Sequence, residues 1–159
     1  MIENGADTRL FEEIARPLLA QGSRVRFQAR GGSMSPAIRD GEVVEVIPTN
    51  VTELHKGDIV LARAEHGFRL HRIVVADPHE DRFITRGDCG QQDDPVLTGA
   101  QILGIAHSKE VWLGRNFVRA RFKGLGGWML RSAARVQHLA AKAVRRAWGF
   151  DFPSGSRWV

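Results

Sequence analysis

Between residues 24 and 108 the chain alternates short runs of β-branched and apolar residues with clusters of Gly, Pro, Asp and Asn, the punctuation of a sheet protein. The runs expected as strands are 24–29, 42–47, 58–63, 68–75, 82–85 and 101–108. Val43, Val44, Val46 and Ile47 are expected to help fill the core, and Asp77-Pro78-His79-Glu80-Asp81 reads as a hairpin loop. Ahead of the strands, Leu10, Phe11, Ile14 and Leu18 recur at helical spacing. They predict a short helix capped by Asp7, kinked near its end at Pro17 and stopped at Gly22.

Beyond residue 108 the period changes. Met129, Ala133, Val136, Ala140, Ala143 and Ala147 fall on one helical face, and Arg131, Arg135, His138, Lys142, Arg145 and Arg146 on another. Trp112, Phe117, Phe122, Trp128 and Trp148 add aromatic bulk, and Gly124, Gly126 and Gly127 form a hinge. The expected organisation is therefore a helical segment 1–23, a β-rich domain 24–108 and a basic amphipathic tail 109–159.

Charge sharpens that division. The 159 residues carry a net charge of +5, but residues 109–159 hold eleven Lys or Arg against two acids, and the remainder twelve against sixteen. The amphipathic basic pattern over 109–150 fits an anionic membrane surface. Packing of the same face on the β-domain is the plainer alternative, and nucleic acid is the disfavoured one because no nucleic-acid motif accompanies the charge. A hydrophobic content of 43% supports a real core, and the single cysteine excludes an internal disulfide. The N-terminal residues lack the charged-then-apolar order of a secretory signal, and no apolar run approaches the ~20 residues of a membrane span. The expected location is the cytoplasm, peripheral at the inner face of the membrane. His79 with Asp77 and Asp81 reads as a solvated turn rather than a metal site, and no cofactor or metal motif is recognised.

Candidate chemistry centres on Gly31-Gly32-Ser33-Met34-Ser35-Pro36 and on Phe68-Arg69-Leu70-His71-Arg72-Ile73-Val74. Glycines ahead of Ser33 permit backbone angles other residues resist, and Pro36 fixes its own φ and biases Ser35 toward extended conformations. Such a turn exposes a hydroxyl and aims backbone N–H groups at a developing oxyanion. A serine hydroxyl needs a base to take its proton as it attacks, and histidine, with an ordinary pKa of about 6.5, suits that task. A hydroxyl on a turn and an imidazole on a strand are the minimum equipment for a serine nucleophile with a general base. An isolated Gly-Ser pair would be plain turn chemistry; the neighbouring motifs argue for more.

Gly32-Ser33-Met34-x-Pro36 resembles the nucleophile box of type I signal peptidases, and Lys56-Gly57-Asp58-Ile59-Val60 resembles the strand that follows it. His71-Arg72-Ile73-Val74 is similar to the corresponding box of the histidine-using branch, known from endoplasmic-reticulum, archaeal and some bacterial enzymes. Thr85-Arg86-Gly87-Asp88, with Asp93 and Asp94, is similar to the next box, and Gln101-Ile102-Leu103-Gly104 to the closing strand. All five occur in order across residues 24–107. The resemblance implies a signal peptidase/LexA-like β-rich catalytic domain, with Ser33 as nucleophile, His71 as general base, and Gly32 and Met34 in the nucleophile turn. It implies an aspartate that orients the imidazole: Asp94 matches that position best, Asp88 second, and the sequence leaves the choice open.

Three departures stand out: Gly31 where many members carry a side chain that helps bind the oxyanion, Cys89 where the box usually has asparagine, and the lack of a membrane-spanning helix. Cys89 reads as an incidental thiol rather than a nucleophile. The expected activity is cleavage of an extended peptide or precursor after small residues. A LexA-like self-cleaving protein and a non-catalytic binding module with a basic tail are the alternatives.

Overall fold

The computed structural model describes residues 5–65, 67–113 and 116–122. Helix α1 (Gly5–Ala20) begins two residues ahead of the expected cap and carries Pro17 inside it. It ends where Gly22 takes φ +84, with the N–H of Gly22 on the Leu19 carbonyl and that of Ser23 on the Leu18 carbonyl. This is the Schellman stop, which satisfies two otherwise orphaned carbonyls. Of the expected apolar row only Phe11 packs inward; Leu10, Ile14 and Leu18 stand exposed, and Ala15 and Leu19 supply the buried contacts. Phe11 decides the rotation, because its ring meets Phe27 and Phe68 edge-on at centroid distances of 5.0 and 5.5 Å.

Seven antiparallel strands follow: β1 (Val25–Gln28), β2 (Val43–Ile47), β3 (Ile59–Ala64), β4 (Gly67–Asp77), β5 (Arg82–Arg86), β6 (Ile102–Leu113) and β7 (Asn116–Arg121). They pair in the order β1-β2-β6-β3-β4-β5, with β7 added alongside β6. The described residues are thus mainly β with one short α-helix. Strand β3 explains the continuous apolar run at its centre. Ile59 and Leu61 enter one buried cluster, shared with Met34, Val44 and Val46, while Val60 and Ala62 enter a second, around Phe83, Ile73 and Ile105. Successive side chains point to opposite faces, so a strand covered on both faces must be apolar at every position. Val44 and Val46 are fully buried, whereas Val43 and Ile47 are half-buried.

The expected boundary between residues 108 and 109 falls inside β6, so the sheet extends beyond it through β7 to the buried Phe122. The basic residues at the start of the expected tail are sheet residues. Lys109 Nζ lies 2.7 Å from Glu42 Oε2, and Arg119 Nη1 3.6 Å from Glu45 Oε1. Cross-strand ion pairs consume charge that the sequence offered to an external partner. The expected helical faces between Trp128 and Trp148 lie outside the described residues. No described helix is long and apolar enough to cross a membrane.

Candidate active site

The nucleophile turn hangs from the pairing of β1 with the chain before β2. Ala29 N–H donates to the Glu42 carbonyl and Gly41 N–H to the Ala29 carbonyl, each at 2.8 Å, closing the neck of a loop. Gly31 opens that loop at φ +88, a conformation that strongly favours glycine, and its N–H is held by Asp40 Oδ1 at 2.7 Å. Met34 is buried in the cluster of Ala15, Leu19 and Ile38, and its carbonyl accepts from Ile38 N–H at 2.8 Å. The Gly32 carbonyl accepts from Ser35 N–H at 3.1 Å, and the Ser35–Pro36 bond is cis. Met34 anchors the turn from beneath while Ser33 stays exposed on top.

His71 reaches that hydroxyl from β4. Its Nε2 lies 3.0 Å from Ser33 Oγ, and its Nδ1 lies 2.7 Å from Asp94 Oδ2. A carboxylate only accepts, so Nδ1 is the donor in that contact, and in the neutral ring Nε2 is left to accept from Ser33 Oγ. Asp94 comes from the chain after β5. The segment doubles back along that strand through paired hydrogen bonds between Phe83 and Leu97, and Asp94 N–H donates to the Thr85 carbonyl at 2.8 Å. The carboxylate receives two further donors: Thr85 Oγ1 on Oδ2 at 2.7 Å and Arg69 Nη1 on Oδ1 at 2.6 Å. Side-chain exposure is only 14% for both His71 and Asp94, so the pair is sheltered behind an exposed serine.

Asp88 does not touch the imidazole. Its two oxygens take Nε and Nη2 of Arg72, each at 2.7 Å, while Arg72 Nη1 donates to the Gly57 carbonyl at 2.8 Å. This bidentate clamp ties the loop after β5 to the turn before β3. Gly87 lies between them and the site: a Cβ there would stand 2.8 Å from the Ser33 carbonyl oxygen and 3.1 Å from His71 Nε2. Cys89 N–H donates to the Ser33 carbonyl at 2.9 Å, and its Sγ contacts the Ser35 carbonyl at 3.1 Å. Cys89 is exposed as a residue, yet partial desolvation pushes its thiol up from its ordinary value, the Asp88 charge adds to the rise, and the Ser35 contact opposes it. That is the reverse of an activated cysteine nucleophile.

Of the six residues singled out from sequence, Ser33, His71 and Asp94 form one hydrogen-bonded chain, Gly32 and Met34 build the turn beneath it, and Asp88 serves Arg72. Arg69, Thr85 and Gly87 were not singled out, although they touch the same groups. One signal was available for Arg69, since residues two apart on a strand share a face and Arg69 shares that of His71. No group of three or more potential metal ligands occurs among the described residues. No protein-family model matches this chain, and no curated protein matches it either.

Proposed function

We propose that this protein is a serine endopeptidase in which Ser33 is the nucleophile, His71 the general base and Asp94 the group that orients the base. The observation that carries the reading is the continuous chain from Ser33 Oγ through both nitrogens of His71 to Asp94, with links of 3.0 and 2.7 Å. Ser33 Oγ attacks the scissile carbonyl carbon as its proton passes to His71 Nε2. Asp94 holds the Nδ1–H tautomer and stabilises the imidazolium that forms. The Ser33 backbone N–H is the donor at hand for the oxyanion. His71 then returns its proton to the leaving amine, and a water deprotonated by the same ring releases the acyl group from Ser33.

The resemblance to signal peptidases gives the substrate class: an extended peptide cut after small residues. The region after Phe122 carries seven Lys or Arg against one Asp in an amphipathic pattern, and we assign it to an anionic membrane surface where such precursors are met.

The test is cleavage of a small-residue peptide library, read by mass spectrometry, by the natural chain and by Ser33→Ala and His71→Ala. Both variants are expected to lose cleavage by a factor on the order of 10³ or more. Undiminished cleavage by Ser33→Ala would refute the assignment, and an inactive natural chain would favour a binding module.

A further inference from the structure

Among the described residues Arg69 is the charged side chain that shares Asp94 with the imidazole. Strand β5 ends at Arg86, opposite Arg72, so residues 69 and 71 of β4 project past the end of β5 into the loop that brings Asp94 back. There Arg69 Nη1 takes Asp94 Oδ1 at 2.6 Å, leaving Oδ2 to His71 and Thr85. With both oxygens committed to different donors, the carboxylate has no freedom to turn its plane away from the ring.

We infer that Arg69 is a positioning residue that fixes the plane of the Asp94 carboxylate, so that Oδ2 stays aligned on His71 Nδ1 and Nε2 stays aimed at Ser33 Oγ. This rests on the reading of Ser33, His71 and Asp94 as a catalytic triad. Without the guanidinium, Oδ1 loses its donor and the carboxylate is free to rotate, which loosens the ring that it orients.

The other charged groups around the ring are compensated or neutral. Asp88 is clamped by Arg72, Arg86 pairs with Asp93 at 3.3 Å, and Cys89 is held as the thiol. Arg30 sits at the foot of the nucleophile turn with a partner of its own. From β3 the residue opposite His71 is the uncharged Val60. Among the described residues Arg69 is thereby the cation that reaches the ring through its carboxylate.

The experiment reads the His71 Nδ1–H resonance by proton NMR and the cleavage kinetics of the full chain, comparing the natural protein with Arg69→Gln and Arg69→Lys. The Arg69 side chain is 35% exposed, so both variants are expected to fold, with thermal melts as the check. In Arg69→Gln the Nδ1–H signal is expected to broaden and move, and kcat to fall by about ten-fold with KM unchanged. Arg69→Lys keeps a donor for Oδ1 and is expected to bring kcat back to within about three-fold of the natural chain.

A folded Arg69→Gln protein whose Nδ1–H signal does not move would overturn the inference. A signal that moves in a chain without Ser33-dependent cleavage keeps Arg69 and removes the peptidase. An unmoved signal beside Ser33-dependent cleavage does the reverse.

Discussion

Arg72 holds Asp88 through two parallel hydrogen bonds, Nε to Oδ1 and Nη2 to Oδ2, both 2.7 Å long. The two residues lie in the neighbouring motifs that contain His71 and Asp94, so adjacent positions on the same pair of segments carry a structural clamp and a candidate catalytic pair. The clamp is partly buried, with side-chain exposures of 18% and 10%.

Replacing the two aspartates should therefore differ in its effect on kcat. Asp94→Asn leaves the shape but supports the wrong histidine tautomer, and kcat of the folded protein is expected to fall by about 10³ to 10⁴, alongside a loss of stability because the amide cannot accept from Arg69, Thr85 and His71 together. Asp88→Asn should cost about 1–3 kcal/mol of stability and leave kcat of the folded enzyme within a few-fold. Paired melts and kinetics on one substrate check both. Similar losses of kcat in the two variants would contradict the division of labour.

Gly87 tests how tightly the site is built. A methyl there meets the Ser33 carbonyl oxygen at 2.8 Å, a backbone atom that cannot swing aside, and His71 Nε2 at 3.1 Å. Gly87→Ala should separate the hydroxyl from the ring and reduce kcat by about 10² or more, since misplacement by about 1 Å is worth that much. An alanine variant as active as the natural chain would show that the two groups do not work at their observed separation.

Cys89 should be slow to alkylate. Partial desolvation and then the Asp88 charge raise its pKa, so the reactive thiolate is populated at higher pH than in an ordinary cysteine, although the residue is exposed. The sign for stability follows. With the folded value above the unfolded one, the thiol costs nothing at neutral pH, and stability falls as pH rises past the unfolded value. Iodoacetamide labelling against pH is the check, and Cys89→Ser should retain cleavage within about three-fold because the sulfur performs no step.

Gly22 separates conformational strain from crowding. Nothing lies within 4 Å of a Cβ built there, yet φ is +84. Gly22→Ala should cost about 1 kcal/mol through the left-handed backbone alone, measurable by urea denaturation. No change in midpoint would mean that the helix end rearranges.

The basic region after Phe122 should bind anionic vesicles. Because β6 and β7 run past residue 108, the informative truncation keeps 1–122 and leaves the sheet whole. The full chain is expected to sediment with phosphatidylserine-containing liposomes at low salt and to release as salt rises, and the truncation to stay in solution. Equal partitioning of both would end the membrane assignment.

What the sequence determined by itself was local. Alternation and turn residues mark the strands from Arg24 to Ser108, Gly22 marks the helix end, and the Gly-Gly-Ser turn and His71 offer a candidate nucleophile and a candidate base. These features depend on neighbours a few positions apart, where the pleat, the helical period and glycine's freedom act. The tertiary structure decided which partners meet. It put Asp94 rather than Asp88 against the imidazole, brought Arg69 and Thr85 onto the same carboxylate, turned Phe11, Ala15 and Leu19 inward, and carried the sheet through β7. Those outcomes hang on register between distant segments, above all the pairing of β4 with β5 and the return of residues 94–97 along Phe83 and Thr85. A shift of one residue in that register would turn every side chain to the opposite face, and nothing within either segment alone specifies it.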